Sequence, residues 1–421
     1  MEYRYLFTNE KDTITDFLKK SIDMKFSCHT PHFDYDFNDG LRIKFKENDV
    51  NYRLIILDKT TRNPLYEQDI KTEDGVIYSF PKKYYIEYEV TLLRIMDDDL
   101  YDSFPLSVIT YNCSNKDVLF LLANDERAGL GDCIAWMTAV YNFKLKHPTT
   151  NIFVCTQYDD LNKLIKEKYD CFTFLNYEEC FERTFYATYL VGCFFNDPLR
   201  LWCPRDYRTM SLVEIGCSIL GLDNDIIPLD LSLEYESSKP YVCISTHASA
   251  IYKEWIYKNG WEKIVEYLNS IGYDVYVIDA EASNRQGNLA ETNIPKNAID
   301  KTGRISLVER AKFISGADFL IGVSSGLSWL GWACGVPVVL ISGFTNPITE
   351  FKTPYRVFHD GVCNSCWNDP HIEWNMNETV CPRKKNPFAM DYLECSGKIG
   401  VYAVIKAINE IPIVRERMKT C

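Results

Sequence analysis

FLIGVSSGLSWLGWACGVPVVLISGF, residues 319–344, is the longest uncharged run of the chain. By length alone it could cross a membrane. It holds five glycines, four serines and a proline, however, and these divide it into a strand (FLIGV), a glycine-serine turn, a short apolar helix (GLSWLGWACG) and a second strand (PVVLIS). The run therefore reads as the buried strand–helix–strand core of an α/β sheet, and no transmembrane span is expected.

The same rhythm extends on both sides. From Pro240 it reads strand YVCIST, helix GWEKIVEYLNSIG, strand YDVYVIDA, helix SLVERAKFIS; from Asp117 it reads strand DVLFLLAN, a glycine turn, helix DCIAWMTAVYNFKLK, strand NIFVC, helix DLNKLIKEK. Alternation of this kind predicts parallel sheets covered by helices. The fold class is α/β, with two doubly wound sheets and a cleft outside the carboxyl ends of their strands, where ligands bind in such folds. The polar, proline-containing stretch Leu222–Pro240 lies between the two halves as a linker or crossing segment. Upstream, from Asp34 to Asp97, short alternating runs (LRIKF, YRLIIL, YYIEYEVTLL) between NDG, KEND and KTEDG turns predict a small antiparallel β-domain. The expected boundaries are a β-rich domain at 1–112, a first α/β domain at 113–235, a donor-binding domain at 236–360, a cysteine finger at 361–397 and a C-terminal helix at 398–421.

A chain of 421 residues exceeds one ordinary core, and 46% hydrophobic with 25% charged residues is the balance of a globular protein. The net charge of −13 repels nucleic acid and anionic membranes, so an anionic ligand needs a local basic or dipolar site. The opening MEYRYLFTNEKDTITDF lacks the basic and apolar regions of a secretory signal, which places the chain in the cytoplasm. Of sixteen cysteines, Cys133, Cys155, Cys193, Cys217, Cys243 and Cys334 lie in apolar stretches and are expected as small buried side chains.

Three constellations carry chemistry. In the first, Glu126-Arg127-Ala128-Gly129-Leu130-Gly131-Asp132 joins a strand to a helix. Gly129 and Gly131 allow a tight turn and close approach of a ligand, and Asp132 stands at the helix N-terminus, either as a cap or as a general base. The third glycine and distal acid of a dinucleotide fingerprint are missing, which disfavours a nicotinamide dehydrogenase. In the second, strand YVCIST ends at Thr246 and opens into a loop carrying Lys253, either a surface lysine or a neutraliser of a diphosphate leaving group. Ser324, Ser325, Gly326 and Leu327 open a buried helix whose free N–H groups make an anion site, and Thr345 lies in a loop at the same cleft edge.

In the third, Cys363, Cys366, Cys381 and Cys395 are separated by two, fourteen and thirteen residues in a loop rich in Asn, Asp and Pro. Cys-x-x-Cys lets two thiolates share a metal and the later pair completes a tetrahedral site; a redox dithiol would instead open a helix of a βαβ unit. An S₄ set favours zinc, with iron as the other common occupant, and His359 and His371 flank the site as possible substitute ligands.

The pattern SSGLSWL…AxGVPVVLISG resembles the donor-binding half of the heptosyltransferases, and GLGD their acceptor-side half. The finger GVCNSCWND…CPRKKN…EC, with YDFNDG and ISGFTNPxxEF, resembles the autotransporter heptosyltransferases from about Phe33 to Cys395. That resemblance implies a GT-B glycosyltransferase moving heptose from ADP-heptose to serine hydroxyls of an autotransporter adhesin passenger. It implies Asp132 as base, Lys253 on the donor phosphates, iron in the finger, no catalytic divalent metal, and a large homo-oligomer, a dodecamer. Three other readings stand beside it. They are a lipopolysaccharide-type heptosyltransferase, which lacks the β-domain and finger; a non-catalytic metal-stabilised assembly module; and a GT-A transferase using the Asp97-Asp98-Asp99 run, which reads better as an exposed acidic turn.

Overall fold

The computed structural model describes residues 2–5, 25–96, 105–122, 128–223, 225–282, 284–285, 291–292, 294–372, 381–383 and 392–419. Glu126, Arg127, Asp97–Asp99 and Cys421 lie outside these residues.

The N-terminal strands are β1 (Glu2–Tyr5), β2 (Cys28–His29), β3 (Phe33–Asp36), β4 (Leu41–Phe45), β5 (Asn51–Asp58), β6 (Pro64–Lys71), β7 (Val76–Phe80), β8 (Tyr88–Arg94) and β9 (Ser107–Thr110). They form two sheets, ordered β1-β7-β4-β3-β2 and β6-β5-β8-β9. Pairing is antiparallel as expected, except that β1 runs parallel to β7. Period-two alternation turns Tyr52, Leu54 and Ile56 of β5 and Tyr88, Val90 and Leu92 of β8 inward. There Phe45 of the first sheet stacks on Tyr52 of the second at 5.5 Å. Phe37 stitches this unit to the next: its N–H donates to the Tyr186 carbonyl (2.9 Å) and its carbonyl accepts from Thr188 N–H (3.2 Å).

The first α/β unit comprises β10 (Asp117–Leu122), α1 (Leu130–Lys146), β11 (Asn151–Cys155), α2 (Asp159–Lys166), β12 (Phe172–Leu175), β13 (Ala187–Val191) and α3 (Leu212–Ile219). Its parallel sheet is ordered β12-β11-β10-β13. The second unit begins with β14 (Tyr241–Ser245), α4 (Gly260–Ser270) and β15 (Asp274–Val277). A separate ladder, β16 (Asn284–Arg285) with β17 (Glu291–Thr292), follows, then β18 (Ile299–Asp300), α5 (Leu307–Ser315), β19 (Phe319–Val323), α6 (Gly326–Ala333), β20 (Val338–Ile341) and β21 (Arg356–Val357). Its parallel order is β18-β15-β14-β19-β20-β21, so the winding reverses between β14 and β19 and leaves a crevice beyond Ser245 and Val323. Residues 319–344 resolve into β19, α6 and β20, and among the described residues no helix is long and apolar enough to cross a membrane.

The stretch 222–240 differs from a loose linker. Leu229 and Leu231 are fully buried in the core shared by the two units, each worth about 1.5–3 kcal/mol. The segment is tied to both sides: Ile227 N–H donates to Asn142 Oδ1 (2.9 Å) and Leu231 N–H to the Ala333 carbonyl (2.7 Å). Its polar residues face solvent while alternate leucines pack, a period-two signal too short to read against the surrounding Asp and Ser. At the C-terminus, α7 (Glu394–Gly397) leads into α8 (Val401–Asn409) and α9 (Pro412–Arg417), whose Val404, Ile408 and Val414 cover the outer face of the second sheet.

Candidate active site between the two sheets

Asp132 is the third residue of α1, and Gly129 is the N-cap, so the expected aspartate cap at the helix boundary is replaced by a glycine cap. Gly129 N–H donates to Asp132 Oδ2 at 2.7 Å, which fixes the carboxylate over the turn. The turn itself is held by its neighbour in the sheet: Gln157 Nε2 (2.6 Å) and Tyr158 OH (2.9 Å) both donate to the Ala128 carbonyl. Burial, Cys133 and Asp132 together raise the Tyr158 phenol above its ordinary range, so it remains a donor.

Gly131 serves a purpose that its motif did not disclose. A Cβ there would lie 2.5 Å from Trp329 Cδ1 of α6, and one on Gly326 would lie 2.9 Å from Leu130 Cβ. The glycine-opened starts of α1 and α6, one from each sheet, thus meet at van der Waals distance across the cleft. Close helix approach requires both glycines, and the turn that carries Asp132 is held against the start of the second unit's central helix.

At the switch point the candidate hydroxyls are anchored by buried carboxylates. Thr246 donates through both N–H and Oγ1 to Asp279 Oδ2 (2.9 Å each), and Ser245 Oγ donates to Asp279 Oδ1 (2.8 Å). Ser324 Oγ (2.7 Å) and Thr345 Oγ1 (2.6 Å) donate to Glu350 Oε1, whose other oxygen pairs with Arg356 Nη1 at 2.5 Å. Thr246, Ser324 and Thr345 therefore shape the crevice floor with their side chains committed. Ser325 differs: as N-cap of α6 it makes no side-chain cap hydrogen bond, and its buried Oγ has no partner among the described residues. With the first N–H groups of α6, beginning at Gly326 and Leu327, it forms a donor cluster suited to phosphate oxygens. No anchoring role for Asp279, Glu350 or Arg356 is legible in the sequence. Asp279 leaves a faint signal as the acid ending the run YDVYVID, Glu350 stands in the ISGFTNPxxEF run with no role legible for it, and Arg356 leaves none.

Lys253 ends a single turn at Ile251–Lys253, its Nζ 5.5 Å from the Phe344 ring. Ile251, Tyr252 and Phe344 share a small core with Cys381 and Leu393, so the finger packs directly beneath the loop bearing Lys253. The four finger cysteines are free thiols within electrostatic reach of one another. Burial, then Cys363, pushes Cys366 up to about 11 against the pull of Arg383, and burial with the other three thiols pushes Cys395 up to about 12. Among the described residues no three His, Cys, Asp or Glu side chains stand in closed ligating geometry. The donor chemistry nonetheless fits a soft ion: three of the sulfurs belong to buried residues, and Gly343 lets the chain pass where a Cβ would lie 2.1 Å from the Cys395 carbonyl oxygen. His371 is turned to Asp369 with its side chain 91% exposed, and His359 Nδ1 accepts from Gly361 N–H, so neither histidine joins the thiols.

Residues 224–379 match glycosyltransferase family 9 (heptosyltransferase), and residues 32–96 match the N-terminal domain of glycosyltransferase TibC. The fold is that of an α/β glycosyltransferase, and the family matches make the chain an enzyme that transfers heptose. The autotransporter heptosyltransferase BAHTCr of Citrobacter rodentium is 37% identical over 84% of this chain and 83% of its own. The dodecameric iron-containing heptosyltransferase TibC, solved in complex with ADP-D-beta-D-heptose, superposes with a TM-score of 0.82 at 31% identity, over 94% of this chain and 99% of that one. An inactive relative, BimC of Burkholderia thailandensis, is 29% identical over 93% of this chain and 88% of its own. The chain belongs to the autotransporter heptosyltransferase family.

Proposed function

We propose that this GT-B enzyme transfers heptose from ADP-heptose to serine hydroxyls of an autotransporter adhesin passenger in the cytoplasm. The observation that supports the reading is the meeting of the α1 and α6 starts, which brings the turn bearing Asp132 against a helix start whose Ser-Ser-Gly opening suits an anion. In the transfer, the acceptor hydroxyl oxygen attacks the anomeric carbon as the bond to the diphosphate breaks. Asp132 takes the hydroxyl proton. The Ser325 hydroxyl, the first N–H groups of α6 and Lys253 offset the charge developing on the departing ADP.

The thiolates of Cys363, Cys366, Cys381 and Cys395 would hold iron, with zinc as the alternative, and the ion would supply a cross-link beneath the Lys253 loop, not chemistry on the sugar. Assembly into a large homo-oligomer, a dodecamer as in TibC, belongs to the same proposal. The test is mass spectrometry of a passenger co-expressed with this chain and supplied with ADP-heptose: heptose on serine is expected, and an unmodified passenger would overturn the reading. A second reading, binding of the passenger without transfer, draws on the inactive relative BimC. It requires capture of the passenger with no added heptose.

A further inference from the structure

Asn368, two residues past the second finger cysteine, touches three parts of the molecule at once. Its Oδ1 accepts from Asn346 N–H at 2.7 Å, in the loop between β20 and β21 that carries Thr345. Its Nδ2 donates to the Arg208 carbonyl at 2.7 Å, in the turn at Tyr207–Thr209 that precedes α3 of the first unit. The orientation of the amide is dictated by its partners, because an N–H can meet only the oxygen and a carbonyl only the nitrogen. Thr349 Oγ1 accepts a further bond from Nδ2 at 3.0 Å, and the Thr349 carbonyl accepts from Leu212 N–H at 3.0 Å, so the same loop is bonded to the start of α3.

Around the amide, Phe195 and Tyr207 of the first unit meet Trp367 of the finger edge-on, at 5.7 and 5.4 Å. The backbone of the finger is bonded to the donor side as well, from Ser365 N–H to the Gly343 carbonyl (2.9 Å) and from Trp367 N–H to the Phe344 carbonyl (3.0 Å). These backbone bonds hold the finger to the donor loop alone. The connection on to the first unit is made by the Asn368 side chain, beside the Trp367 ring contacts and the Leu212–Thr349 backbone bond, and among the described residues only Asn368 bonds the donor loop and the 206–209 turn through one group.

We propose that Asn368 is a positioning residue for transfer: its amide latches the donor loop 343–349 to the acceptor-side turn 206–209 and so fixes the register of the two halves. The proposal rests on the reading of the cleft as the donor–acceptor site. Removing the latch leaves each half's own contacts intact and loosens their alignment, so it lowers the rate of transfer more than donor affinity. An error of about 1 Å in such alignment is worth up to about 10²-fold.

The test compares full-length wild type with Asn368→Ala and Asn368→Asp. Iron and zinc per chain, backbone hydrogen exchange in 206–212 and 343–350, the dissociation constant for ADP-heptose and kcat for passenger glycosylation are measured on each. With metal retained, Asn368→Ala should speed exchange in both segments and lower kcat by about 10-fold or more, with donor affinity moving far less. Asn368→Asp keeps the acceptor for Asn346 N–H and loses the donor to Arg208, so only 206–212 should open. Unchanged exchange in both segments, an unchanged kcat in Asn368→Ala, or loss of metal in Asn368→Ala would each overturn the latch. Wild type that binds ADP-heptose and transfers nothing would overturn the functional reading instead, and the exchange data would still decide the latch.

Discussion

Replacing Gly131 with alanine adds one methyl group at the point where the two sheets' helices touch. Its Cβ would lie 2.5 Å from Trp329 Cδ1, whereas carbon atoms rest at about 3.5–4.0 Å, so a gap of at least about 1 Å must open. Trp329 cannot yield cheaply: it is 3% exposed and its ring is packed edge-on against Phe351 at 5.0 Å and Trp332 at 5.6 Å. Overpacking of this kind costs about 1–3 kcal/mol. Alanine in place of glycine within a helix returns about 0.5–1 kcal/mol, so the net loss of stability is modest, about 0–2.5 kcal/mol. The effect on transfer is larger, because Asp132 is the next residue and a shift of about 1 Å between base and donor lowers kcat by up to about 10²-fold. Urea denaturation and passenger glycosylation are compared with those of Gly335→Ala, where φ is +73° and nothing lies within 4 Å of the added Cβ. That control should lose stability through backbone strain and keep its activity. Gly131→Ala with wild-type kcat would show that the two helix starts can part without consequence, and the geometric argument for the site would fall.

Asp132→Asn retains an oxygen for Gly129 N–H and should keep fold and donor binding while lowering transfer by about 10²-fold or more. Near wild-type transfer would reduce Asp132 to its part in the helix start, and Lys253→Ala with unchanged donor affinity and turnover would return that lysine to the surface. Cys363→Ser and Cys381→Ser should lose the roughly one metal ion per chain and misassemble, whereas Cys155→Ser should not; stoichiometric metal in Cys363→Ser, read by elemental analysis, would refute the finger. His147, its ring tilted against Phe143 at 4.4 Å, has its pKa lowered first by burial and then by Lys146. The unfolded chain therefore takes up a proton that the folded chain resists, and stability present at neutral pH is lost as pH falls below about 6.5. The thermal midpoint of His147→Phe should decline less between pH 7 and pH 5 than that of wild type; equal declines would show that His147 contributes nothing to the acid sensitivity.

Local patterns carried most of the element-level reading. The apolar runs at 117–122, 241–245, 319–323 and 338–341 each became strands of parallel sheets, because a run of that length bounded by turn residues leaves few other ways to bury its side chains. Strands β12 and β13 and helix α3 have no legible signal in the sequence: FTFL and ATYLV are four and five residues long, too short to stand out from loops rich in Tyr, Cys and Asn. The N-terminal β-domain was legible for the same reason as the sheets, since Tyr52, Leu54 and Ile56 alternate with polar neighbours.

What the amino-acid order determined by itself was most of the elements and the glycine-opened helix starts, features within a dozen or so neighbouring residues, together with the spacing of four thiols between Cys363 and Cys395. What only the tertiary structure decided was which of these meet. Thr246 is answered by Asp279 and Ser324 by Glu350 beyond the ends of neighbouring strands of the second sheet, while Gly131 is answered by Trp329 and Asn368 by Arg208 across the two units. A hydroxyl at a strand end looks the same in sequence whether it faces a ligand or a buried carboxylate. Burying that carboxylate without partners would be costly, so once Asp279 and Glu350 lie inside the fold the nearby hydroxyls are drawn to them, and the Ser325 hydroxyl is left without a partner among the described residues.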